Sequence, residues 1–216
     1  MFTIPDDLID LGKNRIEGHA VQGFVRSYGN PHPKLLLVGE APGENEIETG
    51  IPFIGRAGAE LMKSLESIGL TRKDVYMTSS VRSRPYKWGT KKERDGTIVK
   101  RTYNRAPKPV EILAHAPLLD YEIQHLNPQL IVTLGTIGLQ RLLGKSAKVT
   151  ELHGQIIHQP VQYLSNLEDS HYDWTTKSYT IVPTFHPASV FYRPSLRDQV
   201  VLDWLQIGKY LKESSL

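Results

Sequence analysis

The stretch VGEAPGENEIETGIPFIGRAG, residues 38–58, sets Glu40, Glu44, Glu46 and Glu48 among glycines directly after the apolar run KLLLVG. Carboxylates at the end of a strand suit acid–base or electrostatic work on a bound substrate. Glu40 and Glu46 lie nearest the glycine turns and are the candidates, whereas Glu44 and Glu48 are read as facing water. The stretch is a poor phosphate cradle. It lacks a Gly-Lys-Ser/Thr ending, its glycines miss the dinucleotide pattern, and its charges would repel a triphosphate without a metal. Far along the chain, TFHPAS places His186 just past another apolar run, with Pro187 fixing the backbone behind it. A histidine there can act as a general acid, a neutral donor or a ligand, or can be satisfied by neighbouring backbone. No pair among the eight histidines has HExxH or HxH spacing, so no metal is expected.

The elements that must position these groups follow from hydrophobic periodicity. KLLLVG (34–39), DVYMTSSV (74–81), PQLIVTLG (128–135) and YTIVPTFHP (179–187) read as buried strands. Leu61, Met62, Leu65 and Ile68 recur at helical spacing with Gly69 as a stop, and TIGLQRLLG reads as a short helix. Residues 109–126 are helical in period, with Pro117 predicting a break or kink. Leu196, Val200, Trp204 and Leu211 mark a closing amphipathic helix. Strands alternating with helices predict an α/β fold, a three-layer α/β/α sandwich around a mainly parallel sheet, in a single domain over 1–216.

Ligands of such sheets bind beyond the carboxyl ends of the strands, where residues 40–55, 79–105 and 186–195 could meet in one cleft. Two segments break the rhythm. Residues 153–178 read as a surface excursion, and residues 86–104 as a basic hairpin-like insertion turning at Asp95-Gly96. The charges of that insertion, Lys87, Lys91, Lys92, Arg94, Lys100 and Arg101, with Arg105 beyond it, serve either solubility or phosphate contacts.

Composition limits the alternatives. In 216 residues, 39% are hydrophobic and 23% charged, which fits a folded chain able to bury a substantial core. Zero cysteines exclude disulfides, thiolate nucleophiles and cysteine-ligated clusters. No apolar run is long enough to span a bilayer, and MFTIPDDLIDLGKNR lacks the basic start and apolar stretch of a secretion signal, so a cytoplasmic protein is expected. A net charge of +3 is too small to identify a polyanionic partner by itself.

Taken together, VGEAPGENE…TGIPFIGRAG, VYMTSSVRSRP, NRAPKPVEILAHAPLL, PQLIVTLG and PTFHPAS resemble, in order and spacing, the uracil-DNA glycosylases of family 4, over about residues 34 to 200. The resemblance implies hydrolysis of the N-glycosidic bond of deoxyuridine in DNA, the first step of base-excision repair. It implies a base pocket of Glu40, Ala41, Pro42, Gly43, Phe53 and Ser79, in which Phe53 stacks on the flipped uracil. Glu46 falls where an acidic residue handles the water, and His186 where a histidine donates to uracil O2. Arg56, Lys87, Arg105, Ser189, Phe191, Tyr192 and Arg193 are the expected DNA contacts, with Phe191 or Tyr192 as the wedge. The expected partner is DNA carrying uracil or another deaminated base, bound by a monomer.

Two departures qualify the resemblance. Family 4 enzymes hold an iron–sulfur cluster through four cysteines, and here Ser83 and His115 stand at two of those positions. No cofactor is expected, and packing must hold those segments together. Where the family carries an asparagine that reads the uracil edge, this chain has Ser79, whose shorter, rotating hydroxyl would discriminate less firmly. A glycosylase shifted toward hypoxanthine or xanthine, a non-catalytic damaged-DNA-binding module and, more distantly, a nucleotide-binding enzyme are the competing readings.

Overall fold

A computed structural model describes residues 2–214. The chain opens on α1 (Asp6–Arg15), whose first turn carries Asp6 and Asp7 and whose last carries Lys13 and Arg15, charges that oppose the helix dipole at each end. There follow β1 (Val21–Gln22), β2 (Tyr28–Gly29), β3 (Leu35–Gly39), α2 (Glu44–Thr49) and α3 (Arg56–Ser67). Next come β4 (Val75–Ser79), β5 (Arg84–Lys92), β6 (Ile98–Asn104), α4 (Pro109–Leu126), β7 (Ile131–Leu134), α5 (Thr136–Leu143) and α6 (Val149–Leu152). The chain closes with β8 (Ile157–Tyr163), β9 (Asp173–Thr184), α7 (Ser189–Tyr192), a 3-10 turn at Pro194–Leu196 and α8 (Arg197–Glu213). Among the described residues no helix is long and apolar enough to cross a membrane.

The main sheet has the order β2-β4-β3-β7-β9-β8. Its four inner strands run parallel and its two edges are antiparallel. Every residue of β3 is buried, and their alternation sorts the core into two layers. Leu36 and Val38 join Leu119, Ile123, Leu139 and Leu142 of α4 and α5. Leu35 and Leu37 join Leu61, Leu65, Trp204 and Ile207 of α3 and α8. The mainly parallel α/β/α sandwich is therefore present. Its register aligns Gly39 with Ser79 and Leu134 with Thr184, which brings the strand ends that lead to the acidic loop and to His186 to the same edge of the sheet.

A second sheet, β1-β5-β6, contains the basic insertion. The turn forms where Asp95-Gly96 predicts it, with Gly96 at φ 89° and the Glu93 N–H donating to Thr97 O at 2.8 Å.

Two sequence expectations are corrected. Residues 153–178 do not form a mere excursion, because β8 and the outer half of β9 lie within them as an edge hairpin of the main sheet. Polar residues and Pro160 hid these strands, and an edge strand tolerates both. Pro117 does not break α4, which runs continuously from Pro109 to Leu126. A proline there has no N–H to offer the carbonyl of Leu113, and Arg15 supplies the missing donor, Nη2 reaching Leu113 O at 3.4 Å and Nε reaching Ala114 O at 3.2 Å.

The α1–α4 junction is also where the resemblance would place an iron–sulfur cluster, and the residues there do not fit one. The chain offers no thiolate. Ser83 and His115 are buried, and His115 Nδ1 already accepts the Arg82 backbone N–H at 2.8 Å. The His115 ring packs edge-on to Phe24, and Gly12 lets α1 approach so closely that a side chain there would meet Leu118 Cδ1 at 2.8 Å. Burial first, and the Arg82 charge second, lower the His115 pKa from 6.5 to about 3.

Candidate active site

A cleft of about 380 Å³ opens beyond the carboxyl ends of the parallel strands. Glu46 enters it from α2. Gly43 is the extended N-cap of this short helix and Glu46 its third residue, the position from which a glutamate reaches back to the cap. Its Oε2 accepts the Gly43 N–H, and its Oε1 accepts the N–H groups of Ile54 and Gly55, each at 3.1 Å. Three backbone donors thus fix the carboxylate in place. Ala41, Pro42 and Gly43 line the cleft beside it, but Glu40 does not; burial raises the Glu40 pKa. Glu46 and, against the expectation that it faces water, Glu44 line the cleft, the latter 3.5 Å from Arg84 Nη1, whereas Glu40 is a half-buried neighbour of the wall.

Phe53 lines the cleft in a left-handed conformation, φ 54°, unusual for an aromatic residue. Arg72, far in sequence, holds it there by donating from Nη2 to Phe53 O at 2.6 Å and from Nη1 to Pro52 O at 2.8 Å. Glycine is required on both sides of this aromatic residue. A side chain at Gly39 would lie 2.6 Å from Phe53 Cζ, and one at Gly58 only 1.9 Å from Phe53 O.

His186 follows β9. The Ala188 N–H donates to its Nδ1 at 3.1 Å, so the neutral ring carries its proton on Nε2. Burial lowers its pKa, and the charge of Glu46 opposes that shift only in part, so the histidine favours its neutral form. Gly135, at φ 89°, makes room: a side chain there would lie 2.9 Å from His186 Cβ.

Ser79 also lines the cleft, and its hydroxyl does not rotate freely. It donates to Val81 O at 2.7 Å, leaving lone pairs but no proton for a ligand. Beneath it, Arg82 and Glu122 form a buried ion pair, with Tyr76 donating to Glu122 at 3.0 Å and Thr78 at 2.5 Å. This network fixes the end of β4. The sequence reading missed both members, although Glu122 among Leu118, Leu119, Ile123 and Leu126 is a charge on an apolar helix face and so calls for a buried partner.

The expected DNA contacts divide. Arg56 lines the cleft with its guanidinium 4.5 Å from the centre of the Phe191 ring. Tyr192 is 84% exposed, Lys87 and Arg193 are exposed, and Ser189 is half-buried. Arg105 turns inward and is corrected to a structural residue. It pairs with both oxygens of Glu111 at 2.8 and 2.6 Å and donates to the carbonyls of Tyr86, Ala106 and Ala20. Asn104, at the end of β6, lines the cleft and was not foreseen, because only the pairing of β5 with β6 carries it there.

A sequence model of the uracil-DNA glycosylase superfamily matches residues 26–206. A type-4 uracil-DNA glycosylase of Saccharolobus solfataricus is 30% identical over 195 residues, covering 89% of this chain and 78% of that protein. One from Archaeoglobus fulgidus is 31% identical over 186 residues, covering 86% of this chain and 81% of its own. A type-5 uracil-DNA glycosylase of Thermus thermophilus is 32% identical over 134 residues, 55% of this chain and 53% of that protein. With a match that spans most of its length, the chain belongs to the uracil-DNA glycosylase superfamily.

Proposed function

We propose that this protein excises uracil from DNA by hydrolysing the bond between the base and deoxyribose C1′. The observation that carries this reading is the convergence on one cleft of an anchored carboxylate, Glu46, and a histidine, His186, whose neutral form donates from Nε2. Breaking a glycosidic bond leaves oxocarbenium-like positive charge on the sugar and negative charge on the departing base. Glu46 serves the sugar and the attacking water, and His186 donates to the base. A neutral donor suits a closed pocket, since a charged one would be costly to desolvate. One preorganised donor of this kind contributes about 3–4 kcal/mol to the transition state.

The target atom is inaccessible in a stacked duplex, so the nucleotide must leave the helix. Phe53 offers a stacking face for the flipped base, the exposed Tyr192 acts as the wedge, and Arg56, Lys87 and Arg193 serve as phosphate contacts. Ser79, with its own proton committed to Val81 O, can accept from the N3–H of uracil but opposes the N3 lone pair of cytosine. The same acceptor suits the N1–H of hypoxanthine or xanthine, and a cleft of 380 Å³ has room for a purine, which supports a wider base range as a second reading.

Release of free base from an oligonucleotide with one uracil, single-stranded and opposite guanine, tests the proposal. Hypoxanthine and xanthine duplexes run in parallel. Uracil release slowed about 100- to 1000-fold by His186→Ala supports it; release of only another base moves the second reading to first place; tight DNA binding without any release leaves a binding module.

A further inference from the structure

The positive charge of the chain is concentrated in the β5–β6 arm. Residues 84–104 carry seven cations against two carboxylates, a net +5, whereas the whole chain totals +3, so everything outside the arm is net −2. A polyanion near this protein is attracted chiefly to the arm.

The register of the two strands divides the arm's side chains between two faces. Asn104, which lines the cleft, shares one face with Tyr86, Trp88, Lys92 and Lys100, and Lys87, Lys91, Arg101 and Tyr103 occupy the other. The two faces use their aromatic rings differently. Tyr103 is committed to the hairpin itself: a side chain at Gly89 would lie 2.8 Å from its Cε2, and its hydroxyl donates to Thr90 O at 3.2 Å. Trp88 is 65% exposed, steadied by a perpendicular contact with Tyr86 at 6.1 Å between ring centres. Lys91 on the far face is matched to Glu93 at 3.0 Å, whereas Lys92 and Lys100, on the face of Trp88, have no ion-pair partner among the described residues.

This face continues outward from the cleft. Thr102, opposite Trp88, is two residues from Asn104, about 7 Å along the strand, so Trp88 stands about two stacked base steps outside the cleft wall. An open indole accompanied by unpaired ammonium groups on a sheet face suits a single strand, whose bases stack on the ring while its phosphates meet the cations. The closed base stack of a duplex offers the ring no such partner.

We propose that the cleft-side face of the arm binds single-stranded DNA flanking the target nucleotide, with Trp88 stacking on an unpaired base and Lys92 and Lys100 contacting phosphates. The inference rests on the reading above that the cleft acts on DNA, and it narrows the substrate: a target base with an unpaired neighbour is held more tightly than one in a fully paired duplex.

Anisotropy of a labelled, undamaged thymine oligonucleotide, single-stranded and paired with its complement, tests this with parent and variant proteins. Trp88→Ala should weaken single-strand binding about 10-fold or more, and Trp88→Phe, which keeps a stacking ring, should retain most of it. Both should leave duplex binding within about twofold and the melting temperature unchanged, since the ring is mostly exposed. Replacing Lys92 and Lys100 together by serine should lower the slope of log affinity against log salt by about 1.4, about 0.7 per phosphate contact on a single strand. Unchanged single-strand affinity in Trp88→Ala, equal losses on single strand and duplex, an unaltered salt slope, or a loss that follows melting temperature overturns the proposal. Base release enters none of these readings. A parent protein that binds the single strand as expected yet releases no base from any substrate overturns the glycosylase reading and leaves the role of the arm standing.

Discussion

The guanidinium of Arg56 sits 4.5 Å from the centre of the Phe191 ring, tying the first turn of α3 to α7 across the rim of the cleft. Phe191 is thereby held, while its neighbour Tyr192 stands 84% exposed. Tyr192→Ala should slow excision from duplex DNA at least about 10-fold and leave single-stranded substrate within about twofold, because only the duplex requires unstacking, at a few kcal/mol per step. Single-turnover rates on the two substrates provide the measurement, and equal losses on both would assign Tyr192 another role.

His186→Ala should reduce the excision rate by about 100- to 1000-fold with a much smaller effect on DNA affinity, since a donor to the departing base is worth most in the transition state. Burial lowers the pKa of this histidine, so the neutral donor persists below pH 6.5 and activity falls only once pH drops past the depressed value. A pH–rate profile of the parent should show its acid limb below 6.5. His186→Ala should lack that limb, and an NMR titration of the ring should agree.

His115 makes stability, as distinct from activity, depend on pH. Its pKa is 6.5 in the unfolded reference and about 3 in the folded protein, so between these values the unfolded chain binds more protons. The folded state therefore has its full stability above pH 6.5 and loses it as pH falls toward 3, at up to about 1.4 kcal/mol per pH unit. His115→Leu strands the Arg82 N–H and should cost about 1–3 kcal/mol at pH 7, yet flatten the loss between pH 6.5 and 5. Denaturant unfolding at several pH values measures both effects.

Removing one member of the Arg82–Glu122 pair leaves a buried charge without its partner. Glu122→Leu should destabilise the fold by about 3–5 kcal/mol, whereas replacing both residues with apolar ones should recover much of that loss. Chemical denaturation of the single and double variants tests this, and a double variant as unstable as the single one would contradict it.

The inner strands were legible because a strand buried on both faces reads as a continuous apolar run, as KLLLVG and LIVTL do. The edge hairpin of β8 and β9 was not, because one face and one edge meet water and the pattern fills with Gln, Thr and Lys. The short α2 was hidden by its three glutamates, and one of them, Glu46, caps that helix as well as entering the cleft. Phe53 and Ser79 were expected in the cleft only through the family resemblance, and His186 also from its place just past an apolar run. Asn104, Arg72 and Glu122 could not be placed, since each reaches the site or its supports only through a contact distant in sequence. Arg105 shows the limit of counting charges: composition gives the number of cations in a segment but not the direction in which each one points.

The basic hairpin has a root and a tip under different constraints. At the root, the buried Arg84 holds Asn104, which lines the cleft; at the tip, Glu93 to Thr97 form a solvent-facing turn. Trimming or lengthening the tip would leave the cleft intact, whereas excising the arm whole would remove part of its wall. From Asn104 to Ile98, strand β6 advances about 20 Å, at about 3.3 Å per residue. The arm is thus an adjustable ruler on a fixed mount, and its length is open to change in evolution or by engineering without retuning the chemistry at its base.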